Sequence, residues 1–209
     1  MYKNVIFDLG GVVVDFKPHD FLLEHFFDAE VEQKVYDITF GSEEWQLLDA
    51  GNLTRQRGNE IMMEKARQSG CAFEVQSVLD DWIRTLRTRG RTYDVMKRLH
   101  KMGFRLFYLS NIPEDALSYL RQQEFFALFE GGIASCQIHI NKPDRRIYET
   151  LLRYYKLSPE ETIFIDDSKP NVAAAFELGI TAIHYKGSSS LIKALNSCGI
   201  PLKDRLLWK

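Results

Sequence analysis

Hydrophobic residues along this chain follow two rhythms. Five short runs are apolar almost without a break and rich in β-branched or aromatic side chains: residues 3–8 (KNVIFD), 105–109 (RLFYL), 132–135 (GIAS), 162–165 (TIFI) and 181–185 (TAIHY). A continuous apolar run of that length fits a strand covered on both faces, as in the middle of a parallel sheet. Between the runs the spacing changes to three or four residues, which predicts amphipathic helices over 93–102, 144–156, 171–178 and about 188–197. Gly103 and Gly179 stop two of these. Strand alternating with helix predicts an α/β fold with a doubly wound parallel sheet.

Residues 16–90 break the alternation. They read as helices only, roughly 19–27, 30–39, 43–49, 54–69 and 73–87, with turns at Gly51-Asn52 and Gly70. The predicted layout is therefore an α/β core of residues 1–15 and 91–209, with a helical cap of residues 16–90 inserted after the first strand. Open α/β sheets bind ligands at the carboxyl ends of their strands, so an insertion there is placed to act as a lid.

The polar residues that follow the strand-like runs are complementary in kind. Asp8 ends the first run and is followed by Gly10 and Gly11; Ser110-Asn111 follows the second; Lys142-Pro143 comes a short loop after 132–135; Asp166-Asp167 ends the fourth. In a parallel sheet these ends lie side by side. Three carboxylates brought together raise one another's pKa, and a divalent cation relieves that conflict. An all-oxygen donor set suits Mg²⁺, which is bound by carboxylates, waters and phosphate oxygens. A serine hydroxyl, backbone amides and a lysine ammonium suit the remaining oxygens of a phosphoryl group. The expected metal ligands are Asp8, the Gly10 carbonyl, Asp166 and Asp167. Ser110, Asn111 and Lys142 are expected to bind the phosphoryl group. Asp8 then stands as the nucleophile, attacking phosphorus to give an aspartyl-phosphate.

Composition narrows the partners. With 27 basic and 29 acidic residues in 209, the net charge of −2 argues against broad electrostatic binding to nucleic acid or to an anionic membrane. No apolar stretch is long enough to span a bilayer, and the N-terminal run lacks the marks of a signal peptide. Cys71, Cys136 and Cys198 are widely spaced and form no CxxC, which fits a reduced, cytoplasmic setting. The chain is expected to act as a monomer on a small phosphorylated metabolite.

In order along the chain, FDLGG, LSN, NKP and FIDDSKPN resemble the four motifs of the haloacid dehalogenase superfamily, in its Mg²⁺-dependent phosphatase branch with a helical cap after the first strand. The resemblance covers essentially the whole length. The DLG form of the first motif is most similar to phosphatases of the α-D-glucose-1-phosphate type, which implies a sugar phosphate, and specifically a sugar 1-phosphate, as substrate. The chain departs from the family at one position. Most phosphatases of the superfamily carry a second Asp two residues after the nucleophile as general acid and base, and here that residue is Gly10. A positioned acid–base group contributes about 10²–10⁴-fold in rate. Three accounts remain open: a leaving group that needs little protonation, a substitute such as a cap residue, His19 or a water, or weak turnover by a protein that mainly binds its ligand. Gly10 also keeps a 2-haloacid dehalogenase-type hydrolase in view, although the acidic pair Asp166-Asp167 weighs against it.

Simpler roles stand beside these. Asp8 alone could cap a glycine turn. Ser110-Asn111 before Pro113 could be an ordinary turn. Lys142 alone would be a solvated lysine. Asp15 reads as a turn residue, and Asn171 as a residue tying down its loop. Of Glu43, Glu44 and Trp45, one or two are expected to face the substrate.

Overall fold

A computed structural model describes residues 1–203; positions 204–209, the tail of the segment assigned above to the core, lie outside the described residues. Five strands form one parallel sheet: β1 (Asn4–Phe7), β2 (Arg105–Ser110), β3 (Gly131–Ala134), β4 (Thr162–Asp166) and β5 (Thr181–His184), in the order β3-β2-β1-β4-β5. The strands coincide with the five apolar runs to within a residue or two. Those runs are continuous because both faces of the sheet are covered. Val5 and Phe7 enter the larger core, while Ile6 points the other way, to Phe107, Phe164, Ile147 and Leu151.

The helices in chain order are α1 (Pro18–Phe26), α2 (Ala29–Ile38), α3 (Glu43–Asp49), α4 (Arg55–Gln68), α5 (Ala72–Asp81), α6 (Gly90–Lys101), α7 (Glu114–Leu120), α8 (Ser135–Ile138), α9 (Arg145–Tyr155), α10 (Lys169–Glu177) and α11 (Ser188–Ser197). Only helices lie between β1 and β2. The expected helix over 73–87 divides in two: α5 ends at Asp81 and a 3₁₀ turn, Trp82–Thr85, follows. The tighter turn accompanies the burial of Trp82 and Leu86. Trp82 there meets Trp45 with ring centroids 4.8 Å apart, and Phe40 packs on Trp45 at 4.5 Å. Two short helices escaped the periodicity altogether. One is α7, which starts after Pro113 with Glu114 and Asp115 in its first turn. The other, α8, is a single turn.

The helical segment is tied to the sheet at a narrow neck. Its entry and exit strands lie together: Asp15 N–H donates to the Arg87 carbonyl at 2.8 Å and Arg89 N–H to the Val13 carbonyl at 2.8 Å. The Arg89 guanidinium also pairs with the Asp15 carboxylate at 2.8 Å. Asp15 is thus a residue of the neck, as its turn reading anticipated. Buried side chains run without interruption from the sheet face through Val12, Val13 and Val14 to Leu22, Val35, Met62 and Val75.

Candidate active site

Register brings the acids together. Phe7 pairs with Ile165, so the next residues, Asp8 and Asp166, stand side by side at the strand ends, and Asp8 N–H donates to the Ile165 carbonyl at 2.9 Å. Asp8, Asp166 and Asp167 each offer a carboxylate oxygen within 4.8 Å of the others. Gly11 makes the approach possible. Its φ is +72°, and a Cβ there would land on the Asp167 carboxylate.

Lys142 lies inside this cluster, with its side chain only 1% exposed. The ammonium donates to Asp166 Oδ2 at 2.6 Å and to the Leu109 carbonyl at 2.8 Å, and it stands 3.0 Å from Asp8 Oδ1. The solvated lysine expected of position 142 taken alone is therefore corrected: all three ammonium protons have partners. Burial opposes the lysine's charge, yet Asp8 and Asp166 outweigh it and hold the ammonium above its ordinary pKa. Burial pushes the Asp8 carboxyl up; Lys142 offsets part of that, and Asp166 and Asp167 add to it. Asp166 is fully buried, with its oxygens taking Lys142, the Ser168 N–H at 2.8 Å and the Asn171 amide at 3.1 Å. Asn171 does tie down this loop, through the acid itself.

Ser110 and Asn111 arrive at the end of β2. Asn111 exchanges two bonds with the Lys142 backbone, accepting from its N–H at 2.7 Å and donating to its carbonyl at 2.9 Å. Its side chain therefore holds the lysine in place. Ser110 is 2% exposed and, with Gly10 and Asn111, lines a cavity of about 40 Å³ under the helical segment. The rest of the wall is mostly apolar and includes Phe16, Trp45, Trp82, Leu86 and Leu120. Trp45 is buried and lines the cavity, whereas Glu44 pairs with Lys65 at 2.7 Å and Glu43 is exposed. His19 sits apart, over half exposed, stacked on Tyr36 and bonded to Glu32.

Sequence reasoning missed Asp49, the last residue of α3, which lines the same cavity. It is half-buried, and burial raises its pKa from the ordinary carboxylate value to about 7; Arg55 and Lys142 work against the rise, Asp115 and Asp8 with it. Nothing in the local pattern marked it, since it closes an amphipathic helix like any other acid.

Known proteins resemble this chain over most of its length. A family model described as haloacid dehalogenase-like hydrolase matches residues 2–179. A sesquiterpene phosphatase of Aspergillus oryzae is 28% identical over 90% of this chain and 91% of its own. A D-ribitol-5-phosphate phosphatase of Bacteroides thetaiotaomicron is 28% identical over 86% of this chain and 89% of its own. A HAD family enzyme of Bacteroides thetaiotaomicron, solved with magnesium and inorganic phosphate, superposes with a TM-score of 0.67 at 20% identity over 100% of both chains; that likeness shows the fold.

Proposed function

Because the chain belongs to the haloacid dehalogenase-like hydrolases, we propose that it is a phosphatase of small phosphorylated metabolites that works through a phosphorylated Asp8. The observation that carries the reading is Lys142, buried and shared between Asp8 and Asp166 beside a third acid. A protein with no use for these groups would have little reason to keep a buried lysine and two buried carboxylates beside an exposed third.

The donor set fits Mg²⁺, being all oxygen and carrying a charge excess that Lys142 alone leaves uncompensated. Asp8, the Gly10 carbonyl, Asp166 and Asp167 would hold it, Asp166 through oxygens it now shares with Lys142 and Asn171. When bound, the ion neutralises charge on the phosphoryl oxygens and on the acids. Phosphatases among the relatives and the magnesium and phosphate bound to a structural neighbour support the assignment. In this reading an Asp8 oxygen attacks phosphorus in line, the bond to the leaving oxygen breaks, and water then releases phosphate from Asp8. Ser110 and Lys142 bind the phosphoryl oxygens, and Asn111 fixes the lysine. The helical segment, residues 16–90, serves as the cap. The cavity is small, about 40 Å³, and in this reading the cap moves on its neck to admit substrate.

The sequence reading favours a sugar phosphate, and in particular a sugar 1-phosphate. A second reading has its own observation: the wall of Phe16, Trp45, Trp82 and Leu86 offers few partners to a polyol and suits the phosphate ester of an apolar alcohol. Phosphate release decides both, measured with Mg²⁺ and with EDTA on sugar 1-phosphates, sugar 6-phosphates, an acyl phosphate and an isoprenoid monophosphate. Mg²⁺-dependent release that Asp8→Asn abolishes in folded protein is expected. Release by folded Asp8→Asn would overturn the phosphorylated-aspartate route, and chloride release from 2-chloropropionate without phosphate release would replace it with dehalogenation.

A further inference from the structure

Resting on the phosphatase reading, we propose that Asp49 is the general acid and base of the reaction: it protonates the leaving oxygen as phosphorus moves to Asp8, and then takes a proton from the water that hydrolyses the phosphorylated Asp8.

The first support is where the carboxyl stands. Among the described residues lining the cavity, Asp49 is the only one with a titratable side chain. It shares that cavity with Gly10, Ser110 and Asn111. Position 10 has no side chain to offer a proton, Asp15 is held by Arg89, and His19 is bonded to Glu32 on the exposed side of α1. No hydrogen-bond partner for the Asp49 carboxyl is found among the described residues, so it is free to meet a ligand.

The second support is how firmly the residue is held. The carboxyl-terminal end of α3 is fastened to residues 135–141, the stretch that leads into Lys142. Ser135 Oγ donates to the Asp49 carbonyl, His139 Nδ1 lies 3.1 Å from the Ala50 carbonyl, and Asn141 Nδ2 donates to the Gln46 carbonyl at 3.0 Å. Gly51, at φ +67°, packs so closely on Cys136 that a Cβ would strike its backbone. The acid from the helical segment and the lysine in the loop after α8 are thus both positioned by residues 135–142, as acid catalysis requires of groups that act together. The charges around it are Arg55 on α4, Asp115 on α7, Asp8 and Lys142, and burial among them keeps the carboxyl protonated toward neutral pH.

The electrons balance over two steps. The P–O pair goes to the leaving oxygen, which takes the Asp49 proton while Asp8 gains the phosphoryl group. Water then attacks phosphorus and gives its proton to Asp49, the Asp8–P bond breaks, and both acids return to their starting states.

The test compares two esters of similar size, benzyl phosphate, whose alkoxide leaves poorly, and 4-nitrophenyl phosphate, whose phenolate leaves well, with wild type and Asp49→Asn in Mg²⁺. The expected result is a kcat/KM loss of about 10²-fold or more for benzyl phosphate and a loss at least ten times smaller for 4-nitrophenyl phosphate, because kcat/KM reports the step in which the leaving oxygen departs while both esters share the later hydrolysis of phosphorylated Asp8. Equal losses, or none, in folded variant would overturn the role of Asp49 while leaving the phosphatase reading intact. Should wild type release phosphate from neither ester nor from any member of the metabolite panel above, the phosphatase reading itself fails. The pH profile of wild type gives a check that needs no variant: kcat/KM for benzyl phosphate falls more steeply on the basic side than kcat/KM for 4-nitrophenyl phosphate. Parallel profiles would count against the proposal.

Discussion

The Lys142 ammonium lies 2.6 Å from Asp166 and 3.0 Å from Asp8, and both side chains of the shorter pair are out of water. A buried charge whose partner is removed destabilises far more than the intact pair stabilises. Lys142→Met is therefore expected to cost about 3 kcal/mol or more of stability as well as phosphatase turnover. The loss should grow as pH rises, because without the lysine nothing offsets the burial that pushes the Asp8 carboxyl up. Urea denaturation at two pH values measures it; an unchanged midpoint at the higher pH would show that the cluster is more hydrated than its burial indicates.

The same acids set the response to cation. Mg²⁺ that binds the folded chain and not the unfolded one raises Tm, in proportion to the logarithm of its concentration above Kd. Wild type is expected to gain a few degrees, on the order set by about 1–2 kcal/mol of linkage, and Asp167→Asn clearly less. Thermal melts in EDTA and in Mg²⁺ give the comparison. Equal shifts in both proteins would remove Asp167 from the ligand set.

The helical segment is also joined to α7 by Arg55, whose Nε and Nη2 meet the two Asp115 oxygens at 2.8 and 3.2 Å while its guanidinium lies 5.1 and 5.4 Å from the Trp45 and Trp82 rings. Only a planar fork satisfies both sets of contacts. Arg55→Lys is expected to loosen cap closure, raising KM several-fold with a smaller change in kcat. A double-mutant cycle with Asp115→Ala should return a coupling of about 1 kcal/mol, since both side chains are partly exposed. A coupling near zero would show that the Arg55–Asp115 pair does not hold the helical segment to α7.

Asp49 carries a stability signature independent of turnover. Its folded pKa of about 7 lies above the ordinary 3.8, so its favourable contribution is complete below 3.8 and is lost as pH rises through about 7. Asp49→Asn, which never ionises, should therefore melt above wild type at pH 8, with the advantage shrinking toward pH 4. Melting curves across that range check it, and a pH-independent difference would mean that the carboxyl is not held in a dry site.

How much of this was legible in the chain follows from what each feature depends on. The five strands, the helices around them and the helical stretch after β1 rest on local periodicity, because burial on two faces, on one or on none writes itself into neighbouring residues. The polar groups at the strand ends were legible for the same reason, since a parallel sheet brings every carboxyl end to one edge. Trp82 was read into a continuous helix because its 3₁₀ turn answers to Trp45 and Phe40, more than thirty positions away. Lys142 was read into the site only from its place after a strand end; taken alone it looked solvated, because nothing beside it in sequence says that Asp8 and Asp166 enclose it. Asp49 was invisible, since its placement depends on α3 docking against residues 135–141. Local pattern determined which elements form and which chemistry their ends carry; only tertiary contacts between distant segments decided which side chains lose water, and with that which carboxyl holds a proton where the reaction needs one.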